Sequence, residues 1–173
     1  MQRKRPKTAM VLVDMAEEDR RKIAWGRGPA QEGIMLLASA IRSARNSGIP
    51  PLFVTNESHP AIIRELALAA GPEARIFRKT LMSAFSSEEF RLFLERLNPD
   101  ALIIGGWVRH LCVRDTVIDA MRQEYRVYTS GDILFFREGS HPFPMMGDWE
   151  LRLNARLITQ FPDADSLVAA TMH

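Results

Sequence analysis

One cysteine is all that this chain of 173 residues contains, and that scarcity excludes several functions. An internal disulfide needs two cysteines, and cysteine-based metal sites need more, so the chain fits a reducing compartment. Long apolar runs are missing too: none approaches the roughly 20 residues that span a bilayer, and Met1–Lys7 (MQRKRPK) lacks the apolar stretch of a signal peptide. The expected location is therefore cytoplasmic. A strong excess of one charge is also lacking, since the formal net charge is +2. Much of that comes from Arg3, Lys4, Arg5 and Lys7, in a heptamer read as a flexible basic tail. No aromatic residue interleaves with these cations and no basic stripe recurs, so neither nucleic acid nor a membrane is expected as a partner. Gly105-Gly106 has no spaced third glycine, which removes a dinucleotide-binding fingerprint.

What is present is ordinary for a soluble globular protein, with 46% hydrophobic and 25% charged residues. The length fits one domain over residues 8–173. Apolar runs at Thr8–Val13, Leu52–Thr55, Ala74–Arg78, Ala101–Ile104 and Arg126–Ser130 read as strands, with a sixth near Ala155–Thr159. Helical periodicity marks Gln31–Asn46, Ala61–Ala70, Ser86–Leu97 and the stretch from Cys112, with further helices from about Asp148 and from Asp163. Ala16–Lys22 reads as a polar loop. Strand and helix in alternation predict a three-layer α-β-α sandwich on a mostly parallel, Rossmann-like sheet of about six strands.

Three residues fall where predicted strands end. Asp14 closes the first, Lys79 the third, and Cys112 follows the turn that Gly105 and Gly106 begin. Ligands of open α/β sheets gather at that edge. Read singly, each has a plain alternative: Asp14 as a loop cap, Lys79 as a solvated charge, Cys112 as a small buried hydrophobe. Near a helix start the dipole favours a thiolate, so the nucleophile reading of Cys112 carries the expectation of a low pKa. Trp25 suits a pocket wall or a cover for the core edge. His59, in Asn56–Pro60, is read as a surface or capping residue with too few neighbours for a metal site.

Together these residues resemble the isochorismatase-like cysteine hydrolases, the superfamily of nicotinamidase and N-carbamoylsarcosine amidase. The matching segments are VLVDM with Asp14, KTLMSAF with Lys79, and GGWVRHLCVRDTVIDA with Cys112, Thr116 and Asp119; Asp132 also fits. The resemblance implies a catalytic set of Asp14 as base, Lys79 as electrostatic stabiliser and Cys112 as nucleophile, with the backbone N–H groups of Val108 and Cys112 as the oxyanion hole. It also implies a cis Trp107–Val108 peptide, and a pocket drawing on Asp19, Trp25, Phe85 and Trp107. The substrate class it implies is a small amide, ureido or carbamoyl compound. No metal or other cofactor is called for, and a homodimer or homotetramer is expected. Where the family commonly reads Asp-x-Gln-Asn-Asp-Phe, this chain has Asp14-Met15-Ala16-Glu17-Glu18-Asp19, so an aromatic wall is absent. The competing reading is a catalytically silent member that binds but does not hydrolyse.

Overall fold

The computed structural model describes residues 7–139 and 158–171. Six strands form one sheet: β1 (Thr8–Val13), β3 (Pro51–Asn56), β4 (Arg75–Lys79), β5 (Ala101–Gly106), β6 (Arg126–Ser130) and β8 (Ile158–Phe161), in the order β4-β3-β1-β5-β6-β8. Every neighbouring pair is parallel. The last strand lies a few residues beyond the expected Ala155–Thr159. The helix expected from Asp148 lies outside the described residues.

Side chains of a strand alternate between faces, and β1 shows what that does. Met10 and Leu12 pack with α1 (Ala30–Asn46), α2 (Arg64–Ala70) and α5 (Ala164–Ala170), through Ile34, Leu37, Leu66 and Leu167. Ala9, Val11 and Val13 face the other core, where Phe90 of α3 (Glu88–Leu97) and Val117 of α4 (Arg114–Arg122) lie. Apolar on both faces, the central strands are buried along their length, as a parallel sheet covered by helices requires. Capping follows the sequence as well: the Ser87 and Asp163 side chains accept from Phe90 and Ser166 N–H groups at the starts of α3 and α5.

Two features depart from the sequence reading. Ala16–Lys22 is not an open loop, since Glu17–Lys22 form a 3-10 helix that leads into β2 (Ile23–Trp25). Several of its charges are paired: Arg20 meets Glu17 and makes a bidentate pair with Glu65 of α2. Beside it, β2 pairs antiparallel with β7 (Phe135–Arg137) in a separate two-stranded ribbon, Ile23 lying opposite Arg137. At three residues each, these strands are too short to leave a periodic signal.

The chain places β3 and β4 on one side of β1 and β5 on the other. The connections therefore diverge at the carboxyl ends of β1 and β5, leaving a crevice there. Asp14 follows β1 directly, and Cys112 lies in the segment after β5.

Candidate active site

Residue 14 adopts a left-handed backbone (φ 50°), a conformation that aspartate tolerates better than most residues. Its N–H donates to the Val54 carbonyl at 2.9 Å, anchoring the turn on β3. The carboxylate is nearly buried, and its Oδ2 lies 2.8 Å from Nζ of Lys79, whose side chain is 2% exposed. Lys79 comes from the end of β4, two strands away, and also donates to the Leu81 carbonyl at 3.1 Å. Asp14 Oδ1 is buried without a conventional hydrogen-bond partner. The Cys112 thiol lies against this same carboxylate.

Beyond β5 the chain passes close beneath β1. Gly106 has φ 122°, and a Cβ there would fall 2.2 Å from the Val13 carbonyl oxygen, so only glycine fits. Trp107 N–H donates to that oxygen at 2.9 Å, and its indole Nε1–H donates to the Phe136 carbonyl at 2.7 Å. The Trp107–Val108 peptide is cis. The Val108 N–H is directed at the Cys112 sulfur.

Cys112 does not begin the α-helix. It lies in a single π turn, Arg109–Val113, in which the Val113 N–H reaches back five residues to the Val108 carbonyl at 3.2 Å. Such turns recur at functional sites because they re-aim one side chain. The turn is pinned from below by Thr116, whose hydroxyl donates to the Cys112 carbonyl at 2.7 Å and accepts from the Ala84 N–H at 2.9 Å. The thiol points into an open cavity of about 460 Å³, with the Met82 sulfur 3.5 Å away.

The expected low pKa is not found. Burial, then the Asp14 charge, push the Cys112 thiol up to about 11, while Lys79 and the Val108 N–H pull less strongly the other way. The lysine charge is already engaged by Asp14, so little is left to stabilise a thiolate. The resting site is thus a protonated thiol facing a lysine-held carboxylate.

Asp14, Lys79, Cys112, Asp19 and Trp107 all line the cavity. Trp25 and Phe85 do not. Trp25 packs on α1 against Gly33, where a Cβ would lie 2.6 Å from the indole ring. Phe85 is buried in the core, edge-on to Phe90 and stacked with Tyr125. His59, read as a surface or capping residue, is part-exposed and also lines the cavity, with Nδ1 2.8 Å from Asp19 Oδ2. Asp19 is 4% exposed and also holds Lys22 at 2.7 Å through Oδ1. Sequence reasoning missed Lys22, Asn56, Met82 and Arg137, which also face the cavity. Only the KTLM run and the strand-end position of Asn56 offered a signal for any of them. Among the described residues no group of three or more His, Cys, Asp or Glu side chains is arranged to hold a metal, and no helix is long and apolar enough to cross a membrane.

Comparison with known proteins agrees with this fold. The sequence model of the isochorismatase domain matches residues 8–135. No curated protein matches the chain. Among solved structures, an isochorismatase family protein from Desulfovibrio vulgaris superposes with a TM-score of 0.72 at 20% identity, covering 97% of this chain and all of that one. N-carbamoylsarcosine amidase from Thermoplasma acidophilum gives 0.68 at 20% identity, over 92% and 97% of the two chains. MAR1 ribonuclease from Caenorhabditis elegans gives 0.77 at 18%, over 99% and 84%. At such identities the likeness is one of fold.

Proposed function

The chain belongs to the isochorismatase family, and from that premise we propose that it is a cysteine-dependent hydrolase of a small amide, ureido or carbamoyl compound. The observation that carries the reading is the thiol of Cys112 set against a carboxylate, Asp14, that a buried lysine holds at 2.8 Å. A protonated thiol is a poor nucleophile, and Asp14 is the base within reach. As Sγ attacks the substrate carbonyl, the S–H proton passes to Asp14, and the oxyanion is received by the Val108 and Cys112 N–H groups. Each such donor is worth about 3–4 kcal/mol in other hydrolases. Collapse breaks the C–N bond, Asp14 returns the proton to the leaving nitrogen, and an acyl thioester remains on Cys112. Water then attacks with Asp14 again as base, and the thiol regains its proton as the acid or carbamate leaves.

Lys79, paired with Asp14 at 2.8 Å, balances the charge that accumulates on attack. The alternative of a silent binding member is less well supported: Cys112 is only part-buried and opens onto the cavity, as a working nucleophile must. The relation to N-carbamoylsarcosine amidase favours C–N bonds as the target.

The test is turnover of a panel of small primary amides, ureido acids and carbamates by wild type and Cys112→Ala, with mass spectrometry of the quenched enzyme. Turnover lost in Cys112→Ala, with an acyl adduct on the peptide containing Cys112, is expected. Turnover that survives the substitution would overturn the mechanism.

A further inference from the structure

Resting on the hydrolase reading, we propose that the acyl side of the substrate carries an apolar chain of several carbons, and that this chain lies in a second cavity beside the catalytic one. That cavity, of about 480 Å³, lies between the Leu81–Ser83 segment and the part of α4 that carries Asp115, Ile118, Asp119 and Arg122. Leu81 and Met82 line both cavities, so the two meet across these side chains. The Met82 sulfur is 3.5 Å from the Cys112 sulfur, which puts the boundary one side chain away from the nucleophile. The carbon of the tetrahedral intermediate has four bonds. One goes to Sγ and one to the oxyanion, which turns to the Val108 and Cys112 N–H groups. A third goes to the leaving nitrogen, which must meet Asp14 to recover its proton. Of the groups set against the sulfur, Asp14 and the Val108 N–H are thus taken, and Met82 is left for the acyl substituent.

The second cavity suits an apolar substituent. Its polar side chains already have partners: Asp115 pairs with Arg114 at 2.8 Å, Asp119 with Arg122 at 3.1 Å, and the Ser83 hydroxyl accepts from the Phe85 N–H at 3.2 Å. The charges cancel in pairs, and the apolar surface offered to a ligand comes from Leu81, Met82 and Ile118. Leu81 is 70% and Met82 49% exposed, so a chain laid over them removes apolar surface from water on both partners. The backbone beneath these side chains is fixed. The Leu81 N–H donates to Ser86 Oγ at 3.3 Å, its carbonyl accepts from Lys79 Nζ at 3.1 Å, and the Ala84 N–H is held by Thr116. Lys79 thus ties the apolar wall to the catalytic ion pair. Only side chains need adjust to a ligand, and an unbranched methionine does so readily.

The experiment measures binding, independently of turnover. Full-length Cys112→Ala protein, labelled in its methionine and isoleucine methyl groups, is titrated by NMR with butyramide, hexanamide and N-butylacetamide. The last is an isomer of hexanamide that carries its chain on nitrogen. A fully buried methylene is worth about fourfold in affinity, so hexanamide is expected to bind on the order of tenfold tighter than butyramide. The Met82 and Ile118 methyl signals should shift together as it binds. Adding Leu81→Asn or Ile118→Asn should cut the preference, and Leu81→Asn, at an exposed position, carries the test alone if Ile118→Asn does not fold. Equal affinities of butyramide and hexanamide, a preference untouched by the folded variants, or no detectable hexanamide binding overturns the proposal. So does an Ile118 signal that stays in place, or N-butylacetamide bound as tightly as hexanamide. An Ile118 signal that moves with protein concentration alone would assign this surface to a second copy of the chain and overturn it too. Hexanamide seated at Ile118, in a protein whose wild type turns over no amide, would retain the apolar subsite and remove the hydrolase reading. Turnover of short and long amides alike, with no chain-length preference in binding, would do the reverse.

Discussion

Asp14 and Lys79 meet as an ion pair at 2.8 Å although their strands are separated by β3, and the lysine is 2% exposed when it does so. A buried pair of this kind is costly to break, because removing one partner leaves the other charged and desolvated. Lys79 is thus tied to fold as well as chemistry.

Two substitutions separate these roles. Lys79→Met strands the Asp14 carboxylate and is expected to lower stability by about 3–5 kcal/mol in urea unfolding. Asp14→Asn keeps the shape of the side chain but removes the base, so activity should fall by about 10²-fold or more in protein that still folds. Activities of the double variant should fall far short of the product of the two losses, since the residues act as a unit. Near wild-type turnover in Asp14→Asn would remove it from the mechanism.

The raised thiol pKa sets a pH signature. Cys112 ionises at about 11 in the folded protein, from burial and the Asp14 charge, against about 8.5 for a free thiol. Alkylation of the resting enzyme by iodoacetamide should therefore remain slow through neutral pH and rise toward a midpoint near that value. The linkage has the same direction. The folded state holds the proton more tightly than the unfolded chain, so this contribution to stability is complete below the unfolded pKa and is lost as pH rises toward the folded one. A midpoint at or below that of a free thiol would mean that Asp14 and burial do not control the sulfur.

Sequence pattern reached the parallel sheet, its helices and the three strand-end residues because those signals are local or periodic. Thr8–Val13 and Ala101–Ile104 read as buried strands from their short apolar runs, and the structure buries both throughout. The pocket was less legible. Trp25 and Phe85 are aromatic near the motifs, yet aromatic character says nothing of which way a ring faces, and both turned to the core. Asp19 and His59 lie 40 positions apart, and their contact exists only because the 3-10 helix and the end of β3 face the same crevice. Nor could the Cys112 pKa be read from its helix-start position, because the dominant effects are burial and a carboxylate from another strand.

Thr116 connects the nucleophile turn to the segment after Lys79. Its hydroxyl is fully buried, donating to the Cys112 carbonyl and accepting from the Ala84 N–H at 2.9 Å. Valine has nearly the same shape, so Thr116→Val opens no cavity but strands a buried donor and removes a partner from a carbonyl. The cost of such an unsatisfied group is about 1–3 kcal/mol, and unfolding in urea should show it. Loss of the tie should also free the π turn and the Met82 segment to move relative to one another, so kcat is expected to fall on any substrate that wild type accepts. Thr116→Ser retains the hydroxyl and should restore most of both. Thr116→Val with unchanged stability and kcat would mean that the Ala84 N–H finds another acceptor, and that Cys112 is aimed by the backbone of its turn alone.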